Sequence, residues 1–89
     1  MRIVVLKSFE KDVTKVSDKV ISKHLFEIIE HITVCSKPSE IPSFEKLKGT
    51  QEYFRVRVGD FRLGLRYVGG DSITLVRFMH RKDIYKYFP

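Results

Sequence analysis

Eighty-nine residues, 43% of them hydrophobic and 31% charged, predict one globular domain over 1–89 and exclude a disordered chain. The lone cysteine, Cys35, excludes a disulfide framework and a zinc cluster. No run approaches the ~20 apolar residues of a membrane span, and the apolar stretch after Met1 is too short for a signal peptide, so a soluble cytoplasmic protein is expected. The net charge of +6 favours a polyanionic partner, and it is placed unevenly: residues 1–45 balance, and the whole excess lies in residues 46–89.

Ile3–Leu6 is a β-branched apolar run that reads as a strand paired on both sides. Ser8 reads as a helix N-cap, followed by Phe9, Val13, Val16 and Val20 at helical spacing. Ser17-Asp18 marks a break or bend, with Asp18 suited to the positive end of a second helix dipole. In that second helix Ile21, Leu25, Ile28, Ile32 and Cys35 step by four, three, four and three residues, which places them on one buried face. His24 and His31 lie on the same helix but lack a third ligand and the usual metal spacing, so no metal is expected. Ser36–Thr50, with Pro38, Pro42 and Gly49, reads as a loop. It is pinned by Ile41, Phe44 and Leu47, has scope for a helical turn over Phe44–Leu47, and points Lys46 and Lys48 outward.

Three strand-like runs follow. In Tyr53–Val58, alternation sets Phe54, Val56 and Val58 against Tyr53, Arg55 and Arg57. Gly59-Asp60 makes a tight turn into a strand with Phe61, Leu63, Leu65 and Tyr67 on one face and Arg62, Gly64 and Arg66 on the other. Gly69-Gly70-Asp71 turns into Ser72–His80, where Thr74, Val76, Phe78 and His80 alternate with Ile73, Leu75, Arg77 and Met79. A strand apolar on both faces belongs inside a sheet. Arg81–Phe88 reads as a short tail with a helical turn, Ile84 and Phe88 being apolar and Tyr85 available for a site. The fold class is α+β: an N-terminal strand, two helices on one face of an antiparallel sheet, a three-stranded meander and a short C-terminal helical turn.

Six of the seven arginines fall between Tyr53 and Tyr85. A guanidinium fork matches phosphate oxygens, and aromatic rings among arginines suit unstacked bases, so a single-stranded RNA backbone is the expected ligand. Metal-free RNA cleavage needs a base, cations for the phosphorane and an acid; His80, Tyr85, Lys48 and the arginines include groups for these tasks. No carboxylate cluster suggests magnesium.

Lys46-Leu47-Lys48-Gly49, the run Tyr53–Leu63 with its Arg-x-Arg-x-Gly-Asp-Phe-Arg core, and the closing His80-Arg81-Lys82-Asp83-Ile84-Tyr85 together resemble the RelE/ParE superfamily of type II toxin–antitoxin toxins. The resemblance implies a ribosome-dependent endoribonuclease that cuts mRNA in the A site through the RNA's own 2′-oxygen, without cofactor or metal. It also implies a cognate antitoxin forming a toxin–antitoxin hetero-oligomer, the ribosome and mRNA as partners, and no membrane. Carried over by position, Arg55 and Arg57 surround the reacting 2′-hydroxyl, Arg62 stabilises the phosphate, Arg81 closes the last strand, and Tyr85 stacks on a base. Lys46, Lys48, Tyr53, Arg66 and His80 join as RNA-binding residues. Met79 departs from the family pattern before His-Arg. Arginines stand where lysines are frequent, and a guanidinium, protonated throughout the physiological range, is a poor base. The superfamily also implies two alternatives: a ParE-like toxin inhibiting DNA gyrase by protein contact, and an inactive homologue that only binds antitoxin.

Overall fold

The computed structural model describes residues 1–89. It contains β1 (Arg2–Val5), α1 (Lys7–Thr14), α2 (Lys19–Val34), a 3-10 turn (Pro38–Glu40), β2 (Glu45–Lys46), β3 (Tyr53–Val58), β4 (Phe61–Arg66), β5 (Ser72–His80) and α3 (Ile84–Tyr87). The expected α+β architecture holds: the strands form one five-stranded sheet in the order β1-β5-β4-β3-β2. Every pairing is antiparallel except β1 with β5.

α1 and α2 cover one sheet face. Phe9, Ile21, Leu25, Ile32 and Cys35 meet Val56, Val58, Leu63, Leu65, Ile73, Leu75 and Phe78 in the main core. The period of α2 is therefore read correctly, with Ile28 packed at the edge of the core. Asp18 does start this helix: its Oδ1 accepts from the backbone N–H groups of Val20 and Ile21 at 2.9 and 3.2 Å. Because Asp18 restarts the helical phase, Val20 leaves the stripe of Phe9, Val13 and Val16 and is 62% exposed.

Two expectations about the N-terminal region are corrected together. β1 is an edge strand, bonded to β5 alone, and it stops opposite Leu75. Beyond that point the edge of β5 would be left with open backbone groups, and α1 supplies the partners. Ser8 is thus not an N-cap; the cap position is Leu6, and the Ser8 hydroxyl donates to the Val76 carbonyl at 2.6 Å. Asp12, buried on α1, accepts from the Phe78 N–H at 2.9 Å and from Arg77 through Nε at 2.7 Å and Nη2 at 3.0 Å. This bidentate pair holds the Arg77 guanidinium above the usual arginine range, the hydrogen bond to Asp12 outweighing burial.

The alternation expected along β5 fails at one place. Gly64 pairs with Arg77 but Leu65 pairs with Leu75, so Val76 is an extra residue in a β-bulge. The bulge moves Phe78 onto the helix-side face with Ile73 and Leu75. Val76 and Met79 pack on the other face. That second face is not open. α3 and the residues after it bring Ile84 and Phe88 down onto the sheet beside Leu47, and Tyr53, Val76 and Met79 close around them in a smaller core.

Phe44–Leu47 contains no helical turn: Glu45 and Lys46 pair with Arg55 and Phe54 as edge strand β2. Phe44 stacks on Phe54 at 4.4 Å between ring centroids, and Leu47 enters the smaller core. Gly59, in the β3–β4 turn, needs its φ of 59° and its missing side chain at once, since a Cβ there would lie 2.7 Å from Ile21 Cδ1.

Candidate RNA interface

Alternation along β3 sends Arg55 and Arg57 away from Val56 and Val58, onto the face opposite α1 and α2. The hairpin register sets Arg57 directly across from Arg62, and Arg55 across from Gly64. Gly64 explains how the C-terminal segment reaches this face. A Cβ there would stand 2.8 Å from the Phe88 ring, so the bare glycine is the seat on which that ring lies. Phe88, 5% exposed, then holds α3 down and delivers Tyr85 to Arg55.

The result is a hollow of about 230 Å³ lined by Ser43, Glu45, Arg55, Arg57, Arg62 and Tyr85. The Arg55 guanidinium lies 5.3 Å from the centre of the Tyr85 ring, donates through Nη1 to the Tyr85 hydroxyl and through Nη2 to Glu45 Oε2 at 2.9 Å. The Arg57 backbone N–H donates to Ser43 Oγ at 3.1 Å, which ties the strand to the preceding loop and leaves its side chain exposed. Arg62 is steadied on the turn, donating through Nη1 to the carbonyls of Gly59 and Phe61 at 3.0 and 2.8 Å.

Like charges opposed across a hairpin disfavour the fold. Accordingly the Arg62 guanidinium is held below the usual arginine range, first by partial burial and then by the cations of Arg57, Arg55 and Arg81, with Asp60 opposing them weakly. Arg81 does not line the hollow. The end of β5 brings its charge to bear on Arg62, and its N–H donates to the Asp60 carbonyl at 2.8 Å. A site with these cations and one carboxylate is built to receive an anion with several oxygens.

A larger hollow of about 420 Å³ adjoins the first, sharing Glu45, Arg55 and Tyr85 and adding Lys46, Leu47, Lys48, Phe88 and Pro89. Its apolar floor and lysine rim fit a base with its backbone. Lys46 and Lys48 thus stand with the arginines. Three other expected site residues do not. Tyr53 is half-buried, edge-on to Phe88 at 5.5 Å. Arg66 lies four residues along β4 from Arg62, about 13 Å by strand rise, and pairs with Glu52 at 3.1 Å. His80 packs edge-on to Phe61 at 5.6 Å and takes the helix-side face, away from the arginines. Its Nδ1 accepts from the Lys82 N–H at 3.2 Å. Met79, packed against the smaller core, does not enter the arginine hollow.

Glu45 went unnoticed in the sequence. Its signal was its place immediately before Lys46-Leu47-Lys48-Gly49, but a carboxylate in a loop carries no mark of which strand it will face.

Comparison with known proteins bears on the family and the fold. Residues 3–85 match the family model described as the ParE toxin of the type II toxin–antitoxin system parDE. The chain is 38% identical over 90 residues to Toxin RelE3 of Methanocaldococcus jannaschii, covering all of both chains. Among solved structures it is similar to the crystal structure of a RelB-RelE antitoxin–toxin complex from Methanococcus jannaschii, with a TM-score of 0.80 and 37% identity over 97% of this chain and 99% of that one. A copper-bound mutant toxin from Helicobacter pylori shares the fold at a TM-score of 0.59 and 19% identity, over 94% of this chain and 98% of the other. The fold, the full-length match and the arginine hairpin place this chain in the RelE/ParE superfamily, as a toxin of the type II toxin–antitoxin class.

Proposed function

We propose that this toxin is a ribosome-dependent endoribonuclease that cuts mRNA in the A site by attack of the 2′-oxygen on the adjacent phosphate. The observation that carries the reading is the convergence of Arg55, Arg57, Arg62 and Tyr85 on one hollow, with Arg81 close enough to act on Arg62. In that setting Arg62 stabilises the charge that develops on the phosphorane, Arg55 and Arg57 hold the phosphate and ribose, and Tyr85, 57% exposed, stacks on a base. Clustered arginines fixed on two paired strands need little reorganisation as negative charge grows, which is the source of the rate gain. The neighbouring hollow with Lys46 and Lys48 supports the next nucleotide.

The similarity to the RelB-RelE complex supports an antitoxin as the protein partner, which covers the basic face and keeps the toxin silent in the cytoplasm. The test is mapping of mRNA on programmed ribosomes: new 5′ ends at the A site with the wild-type chain and none with Arg62→Ala are expected. Intact mRNA with both would reject the reading. The match to a ParE family model favours a second reading, inhibition of DNA gyrase by protein contact. Loss of supercoiling activity in a purified gyrase assay, with mRNA left intact, would establish that alternative instead.

A further inference from the structure

We infer that Ser43 is a further phosphate-binding residue of the arginine hollow, its hydroxyl donating to a non-bridging oxygen of the phosphate that is cut. The inference rests on the ribonuclease reading above, and it adds a neutral donor to a set of cations. Ser43 is half-buried and lines the hollow together with Arg55, Arg57 and Arg62. Strand β2 begins only at Glu45, which pairs with Arg55. Two residues back along the same antiparallel register, Ser43 falls opposite Arg57, and Arg57 in turn stands opposite Arg62. Ser43, Arg57 and Arg62 therefore form one row across the sheet.

The backbone of Ser43 does not continue the ladder. Its φ is 54°, which makes it the one non-glycine residue of the chain in the left-handed region. The chain turns out of the sheet there, and the side chain replaces the backbone carbonyl that β3 would otherwise find: Oγ accepts the Arg57 N–H at 3.1 Å. Glycine would adopt this φ without strain but would bring no oxygen. What the strained backbone delivers is thus a hydroxyl at the wall of the hollow.

That hydroxyl is left with a hydrogen to give. Its oxygen is engaged by Arg57, and no acceptor within the protein takes its O–H. Accepting from the Arg57 N–H polarises the group and strengthens its own donation. A phosphate held by the guanidinium groups of Arg57 and Arg62 meets this O–H from the β2 side of the row. Negative charge on the non-bridging oxygens grows as the 2′-oxygen attacks, so a donor already fixed in place contributes more in the transition state than before it. Ser43 transfers no proton; it forms a hydrogen bond to the phosphate and nothing more.

The experiment is single-turnover cleavage of mRNA on programmed ribosomes by the wild-type chain, Ser43→Gly and Ser43→Asn. Each is run with an all-oxygen phosphate at the cut and with sulfur at either non-bridging position. Glycine suits the left-handed backbone, so the melting temperature of Ser43→Gly should stay within about 4 °C of wild type. Its maximal rate should fall about 10–100-fold at an unchanged half-saturating concentration. Sulfur accepts hydrogen bonds poorly, so one of the two sulfur substitutions should slow the wild-type chain, and that slowing should shrink in Ser43→Gly. Asparagine tolerates the left-handed region and offers an oxygen to the Arg57 N–H and an N–H to the phosphate, so Ser43→Asn should recover most of the rate. A Ser43→Gly variant that cuts at the wild-type rate overturns the inference. So does one that cuts slowly but keeps the full sulfur penalty at both positions, because Ser43 would then only fix strand β3. Wild-type protein that leaves mRNA intact overturns the ribonuclease reading itself, a result distinct from wild-type cleavage that is indifferent to Ser43.

Discussion

Arg77 and Arg62 sit on neighbouring strands of one sheet, and they are used in opposite ways. Arg77 is closed: the buried Asp12 holds it with two bonds, and its cationic form is favoured. Arg62 is open: its nearest charged neighbours are mostly cations, its bonds go only to turn carbonyls, and its cationic form is disfavoured. The residue type is the same, and the difference is what the helix side and the hairpin side supply. One arginine is consumed in attaching α1 to β5. The other is held in readiness at a cost to stability, which is a common property of binding and catalytic sites.

The contrast breaks most severely at Asp12. Asp12→Ala leaves a guanidinium without its partner and the Phe78 N–H unbonded, so unfolding in urea should show a loss of about 3–5 kcal/mol. Arg62→Ala should do the reverse. Cleavage on programmed ribosomes should fall about 10²–10³-fold, roughly 2.7–4 kcal/mol of transition-state stabilisation. Its melting temperature should hardly move. Folding depresses the affinity of Arg62 for its proton, so at every pH below that depressed pKa the charge disfavours the folded state. The relief from Arg57 and Arg55 offsets the two lost hydrogen bonds.

Gly64→Ala sharpens the comparison from a third direction. The new methyl meets the Phe88 ring and must lift it, for a loss of about 1–3 kcal/mol by thermal unfolding. Because Phe88 seats α3, cleavage should fall further than that stability loss alone explains, as Tyr85 moves off Arg55. The smallest effect belongs to Glu52→Ala. It breaks the exposed pair with Arg66, and a change of about 0–1 kcal/mol with no change in cleavage is expected. A larger loss of cleavage would bring Arg66 into the site.

Much of this molecule is legible without coordinates. The period of α2, the place of Asp18 at its start, the hairpin turns and the side of β3 that carries Arg55 and Arg57 all follow from local chemistry and strand alternation. Where alternation was interrupted, the reading failed. The bulge at Val76 reverses the facing of Phe78, Met79 and His80, and a bulge depends on how two strands pair, not on the residues of one. Ser8 looked like a cap because a hydroxyl before a helical run usually bonds the helix's own N–H groups; here an open strand edge competes for it and wins.

The sequence by itself determined the layer order, the basic hairpin and the superfamily, because those reside in periodicity, turn residues and motif spacing within short stretches of chain. Only the tertiary structure decided which charges meet. Asp12 and Arg77 are sixty-five residues apart, Arg55 and Tyr85 thirty, and Glu45 reaches Arg55 only through the register of β2. Electrostatic and hydrogen-bond energies depend on separation in space, fading beyond a few ångströms in water, so the distinction between a closed arginine and an open one exists only once the sheet has formed.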